Sequence, residues 1–157
     1  MAQKKKRKII KRKPVSKVYE YYNDTYGFFT YLCIGDTSNF IEACQKDPIS
    51  LSKESAESLL SSLSSKSSVG CTFALANEEN GNPSCWLIYV NSSVDTTPFL
   101  TTLSHECSHT AFFALEARGW STFNTLDTQH TQIYLSDAIY ENFLNKMSKD
   151  KILKISK

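Results

Sequence analysis

The stretch from Thr97 to Gly119 reads TPFLTTLSHECSHTAFFALEARG. It carries the start, body and stop of one helix. Thr97 is a capping residue, Pro98 suits the first helical position, and Asp95 adds negative charge where the helix dipole is positive. Leu100, Leu103, Ala111, Phe112, Ala114 and Leu115 supply the apolar positions, and the pattern predicts a helix to about Ala117 that stops at Gly119. His105 and His109 stand four apart on it, so they share one face. Two imidazoles at this spacing can bind one metal ion. Glu106, beside the first of them, can act on water there without occupying the metal.

The rest of the chain reads outward from this helix. After a loop through Trp120 and Asn124, a closing helix is expected from about Thr128 to Met147, capped by Asp127 or Thr125. Upstream, Phe28 to Ile34 (FFTYLCI) lies between Gly27 and Gly35 and reads as a buried strand. Thr37 or Ser38 is expected to cap a short helix through Phe40, Ile41 and Cys44 that stops before Pro48. Ser50 to Leu63 has helical spacing, with Ser50 or Ser52 as cap, and Ser61 to Ser68 reads as an exposed loop because serine weakens helix ends. Gly70 to Ala76 and Cys85 to Val90 read as strands. The turn chemistry of Asn77-Glu78-Glu79-Asn80-Gly81-Asn82-Pro83 predicts that they form a hairpin.

The expected fold is α+β: a small, mostly antiparallel sheet packed against the metal-binding helix and the closing helix. The domain is expected at 17–148, behind a disordered basic arm (1–16) and before a basic tail (149–157). A chain of 157 residues, 41% hydrophobic with nine Phe and eight Tyr, is long enough for one real core. It has no apolar run of transmembrane length, so no membrane partner is expected.

Of its 18 Lys and Arg, eight fall between Lys4 and Lys13, so acidic residues outnumber basic ones in the remainder. Such an arm suits contact with nucleic-acid phosphates, or nuclear import in a eukaryotic host; a solvated tail is the plain alternative. The basic start runs into Ile9-Ile10 and then more charge, not into the apolar stretch of a secretory leader. The five cysteines are odd in number and lack C-x-x-C spacing, as expected of reduced thiols in the cytoplasm.

Catalytic zinc takes three protein ligands and keeps one position open. His130, the one remaining histidine, is the preferred third ligand beside His105 and His109, with Glu116 and Glu141 as alternatives. Glu106 would be the general base, later passing its proton to a leaving amine. Tyr134, one turn after His130, is a candidate donor to an oxyanion; core packing is the alternative. Asp137 is either an acceptor that orients a ligand imidazole or a surface carboxylate.

Thr102-Leu103-Ser104-His105-Glu106-Cys107-Ser108-His109-Thr110-Ala111 resembles the extended signature of the zincin metallopeptidases. Thr102 stands three before the first histidine, the inner positions are uncharged, and Ala111 is apolar two after the second. From about Phe28 to Leu144 the chain also resembles small H-E-x-x-H metallopeptidases encoded by bacteriophages. Those have an Ile-Gly-Asp-like turn (here Ile34-Gly35-Asp36), a hairpin, the motif helix and a closing helix. They often carry a Glu four before a Tyr on the closing helix; here His130 stands four before Tyr134. A weaker likeness is to the SprT-like proteases, which use three histidines.

The resemblance implies a zinc-dependent peptidase acting on a peptide or protein in the host cytoplasm, or carried in a virion. It also implies a substrate-pairing strand before the motif helix, for which Trp86 to Val90 is the candidate edge strand, an interior strand being the plain alternative. Two rivals stand beside it: a non-catalytic phage structural or host-interaction module with a structural metal, and a nucleic-acid-binding protein working through residues 4–13.

Overall fold

A computed structural model describes residues 17–64, 69–76, 83–91, 96–120 and 126–152. The chain opens with two strands, β1 (Lys17–Asn23) and β2 (Phe28–Gly35). A 3-10 turn (Thr37–Asn39) leads into helices α1 (Phe40–Gln45) and α2 (Lys53–Ser64). Strands β3 (Gly70–Ala76) and β4 (Pro83–Asn91) precede the two long helices, α3 (Thr96–Glu116) and α4 (Leu126–Lys149). The fold is mixed α+β. The expected arm (1–16), the hairpin turn (77–82), Asp95, Thr125 and the last five residues of the expected tail lie outside the described residues.

The sheet order is β1-β2-β4-β3. Both outer pairings are antiparallel, as expected, but the central pair, β2 and β4, is parallel. Parallel neighbours are normally buried on both faces, and these two are. On one face Phe28, Leu32, Ile34, Trp86 and Ile88 meet α3 and α4 through Leu103, Cys107, Ala111, Ile139 and Phe143. On the other, Cys33, Leu87 and Tyr89 meet α1 and α2 through Phe40, Cys44, Ala56 and Leu63. The molecule is thus three layers deep, with β4 at its centre. The segment Trp86–Val90 is therefore the interior strand of its two readings and not the edge strand; each of its five residues is at most 1% exposed. The edge beside the motif helix is β3.

Strand β1 was not foreseen. Its alternation is genuine: Tyr19 and Tyr21 face the α3–α4 side, while Val18 packs on the other. Aromatic residues on both faces blur the period-two signal, and Tyr22 is exposed and in ring contact with Phe29 across the β1–β2 pair.

The caps follow local chemistry. Asp36, rather than Thr37 or Ser38, caps the turn before α1, accepting from the Ser38 and Asn39 amides at 3.0 and 3.2 Å. Ser52 accepts from the Ser55 amide at 3.1 Å, as expected of a cap for α2. That helix runs to Ser64, so the first serines of the expected loop are helical. The Ser61 and Ser62 hydroxyls bond back to the Ser58 carbonyl. Helix α3 begins one residue before the expected cap. It ends in a Schellman motif, with Trp120 N to Leu115 O, Gly119 N to Glu116 O, and Gly119 at φ +78°.

The C-terminal end of α4 is fastened to β1. Asp150 is ion-paired with Lys17 and accepts from the Tyr19 hydroxyl at 3.0 Å, and Lys146 donates to the Glu20 carbonyl. Hydrogen bonds from Lys17 and Tyr19 hold the Asp150 carboxyl below the usual aspartate range. A depressed folded-state pKa contributes stability that is full above the ordinary range and is lost as pH falls through the depressed value. Asp150→Asn should therefore melt below the wild type at neutral pH. Thermal melts in increasing acid should show that gap closing.

Candidate metal centre

Helix α3 lies on the sheet through Leu103, Cys107, Ala111 and Ala114, all fully buried. At about 100° per residue, this turns His105 and His109 away from the sheet. Both are exposed, with their Nε2 atoms 2.9 Å apart and their rings perpendicular. The His109 ring also stacks on Phe113, centroids 5.9 Å apart and 13° from parallel. Without a cation, one imidazole must donate to the other. A tetrahedral zinc about 2.0–2.1 Å from each nitrogen would hold them roughly 3.3 Å apart, a few tenths of an ångström wider. The pair therefore fits two positions of one zinc ion.

Glu106 sits about 100° round the helix from His105, on the flank facing β3. It is 7% exposed. The Thr72 hydroxyl lies 2.7 Å from its Oε2 and 3.1 Å from its backbone carbonyl, which also accepts from Thr110 Oγ1 at 3.0 Å. Thr72 was not foreseen. It lies 34 residues from Glu106, and no local pattern joins them.

The approach of strand to helix depends on Gly70. A Cβ there would run into Thr102 Cγ2, would lie 3.0 Å from the Tyr89 carbonyl, and would meet Glu106 Cγ at 3.4 Å. Glycine is required here for space.

Four of the five thiols are held protonated by their surroundings. All five cysteines are free. Cys107, inside the motif, points into the core, where burial and the neighbouring Glu106 carboxylate push its pKa far up. Burial pushes Cys33, Cys44 and Cys85 up to about 12. Protonated thiols are poor metal ligands.

The other expected site residues do not join the pair. Helix α4 folds back along α3, and the Ser108 and Ser136 hydroxyls meet at 3.1 Å. Its buried face carries Thr128, Leu135, Ser136, Ile139, Phe143 and Met147. On a helical wheel His130, Tyr134 and Glu141 fall on the opposite face, and all three are exposed. His130 is in ring contact with Tyr134, centroids 6.5 Å apart. Tyr134, 73% exposed, is not the core residue that helical spacing also allowed, and Asp137 is a surface carboxylate. Glu116 lies two turns beyond His109, roughly 10 Å along the axis, too far to share an ion held between the two histidines. Among the described residues, no three His, Cys, Asp or Glu side chains gather as a metal site. Among the same residues, no helix is long and apolar enough to cross a membrane.

No family model, curated protein or solved structure matches the chain.

Two substitutions test this geometry by denaturant unfolding. Thr72→Val leaves a buried carboxylate oxygen without its donor and should cost about 1–3 kcal/mol, while Thr72→Ser should recover most of it. Gly70→Ala should cost about 1–3 kcal/mol by forcing β3 off α3, and adding Thr102→Ser should relieve part of that loss.

Proposed function

We propose that the protein is a zinc-dependent metallopeptidase of the H-E-x-x-H type. The observation that carries this reading is the convergence of the His105 and His109 Nε2 atoms on the open face of α3, with the Glu106 carboxylate anchored on the flank beside them. Zinc held there would lower the pKa of a water and polarise a substrate carbonyl.

The chain's own residues supply the rest. Glu106 takes a proton from the attacking water and delivers it to the leaving amine. Thr72 fixes one carboxylate oxygen, Oε2, and leaves Oε1 to carry that proton. Strand β3 supports a peptide as substrate. It forms the sheet edge beside the motif helix, and an edge strand offers backbone groups to an extended chain. The strand-pairing role expected of Trp86–Val90 thus passes to its neighbour. The resemblance to phage-encoded peptidases adds a host cytoplasm or a virion as the setting.

Elemental mass spectrometry on zinc-loaded protein, paired with cleavage of an unfolded protein substrate, tests the proposal. His105→Ala and His109→Ala should each lose zinc. Glu106→Gln should keep it and lose cleavage by at least about 100-fold, the scale of a removed general base. A wild type that takes up no zinc, or a Glu106→Gln variant that cleaves as the wild type does, overturns the reading.

A further inference from the structure

We infer that the recess between Ala74 on β3 and Phe113 on α3 is the subsite that selects the substrate, and that it takes a large apolar side chain. The inference rests on the peptidase reading above and names the substrate class which that reading leaves open.

The path of β3 along α3 places the recess. Side chains alternate on a strand, so Gly70, Thr72 and Ala74 share the face turned to the helix. Gly70 comes up against Thr102, and Thr72 meets Glu106, one helical turn further on. Two strand residues advance roughly 6.7 Å and four helical residues about 6 Å, so Ala74 comes level with Thr110 and the turn after it. The sheet register gives the same placement. Ala74 is the cross-strand partner of Trp86, and Arg118, just past the end of α3, lies 5.7 Å from the Trp86 ring centroid. Ala74 therefore stands beyond Glu106, beside the C-terminal half of the motif helix.

Burial changes at the same level. Gly70 and Thr72 are half-buried against the helix, but Ala74 is exposed. Phe113 stands seven residues after Glu106, within about 20° of the same flank of α3. It is 38% exposed, whereas Ala114 and Leu115 beside it are fully buried. A methyl group on the strand thus faces a large open ring on the helix. That ring stacks on His109, so the recess opens beside the histidine pair.

A peptide paired along β3, the outer strand of the described sheet, alternates its side chains as β3 does. With its scissile group level with Thr72 and Glu106, a side chain within two residues of that group is carried over Ala74 and onto Phe113. Alanine leaves depth there, and the ring offers an offset stacking surface. A carboxylate would exchange water for an apolar wall with no partner for its charge. The chemistry this recess recognises is that of Phe, Tyr, Leu or Met.

The zinc-loaded full-length chain tests this on an unfolded protein, with the cut sites read by mass spectrometry. Wild-type cuts should share a large apolar residue at one fixed position within two residues of the bond. Matched peptides carrying Phe, Ala or Glu at that position then give kcat/KM, and Phe should exceed Ala by roughly 10-fold or more. Ala74→Leu fills the recess without touching a histidine, and should erase that preference. Phe113→Ala should weaken it through KM more than through kcat. Both variants should bind zinc as the wild type does, which separates an altered recess from a damaged centre. Cuts with no residue preference near the bond, or an Ala74→Leu chain that keeps the wild-type preference, overturn the subsite and leave the peptidase reading standing. A zinc-loaded wild type that cleaves nothing overturns both.

Discussion

The site depends on how closely strand β3 can lie on helix α3. At Gly70 the strand comes so near that a methyl group would strike Thr102. That proximity lets the short Thr72 side chain reach the Glu106 carboxylate. It also fixes the phase of the helix. Glu106 is about 100° from His105, whereas His109 is only about 40° from it. A rotation that buries the carboxylate against β3 therefore turns both imidazoles outward together. The buried carboxylate and the outward-facing imidazole pair are two results of one packing constraint.

Burial also gives the Thr72 bond its weight. A carboxylate that is 7% exposed has lost most of its water, so one hydroxyl 2.7 Å away matters more to it than to a surface glutamate. The Cys107 thiol is removed in the same way, directed into the core between sheet and helices and kept protonated. Neighbouring motif positions thus divide by direction: His105 and His109 to the open side, Glu106 to the strand, Cys107 to the core.

Much of this was legible from local pattern. The bounds of α3, the Ser52 cap, the β3–β4 pairing and the histidine pair all follow from residues within one element or its immediate neighbours. What was not legible depended on distant partners. The parallel pairing of β2 with β4, which makes Trp86–Val90 interior, joins strands separated by two helices and β3. Strand β1 hides because its tyrosines occupy both faces. Thr72 carries no mark of its role until β3 is laid on α3. The direction of His130 was within reach. Leu135, Ile139, Phe143 and Met147 form a stripe of four-residue steps, and that stripe already sets the buried side of α4 opposite His130.

The two kinds of site contact also differ in when they can exist. His105 and His109 need only one turn of helix to face each other, a structure that an incompletely folded chain can visit on its own. Glu106 acquires its anchor only after β3 has docked, across a separation of 34 residues. A cation held by such a local pair would be shared between folded and unfolded ensembles, so it would raise the melting temperature by less than its affinity for the native protein alone would give. Affinity for a cation at the pair and thermal protection by it would, in this architecture, be separate quantities.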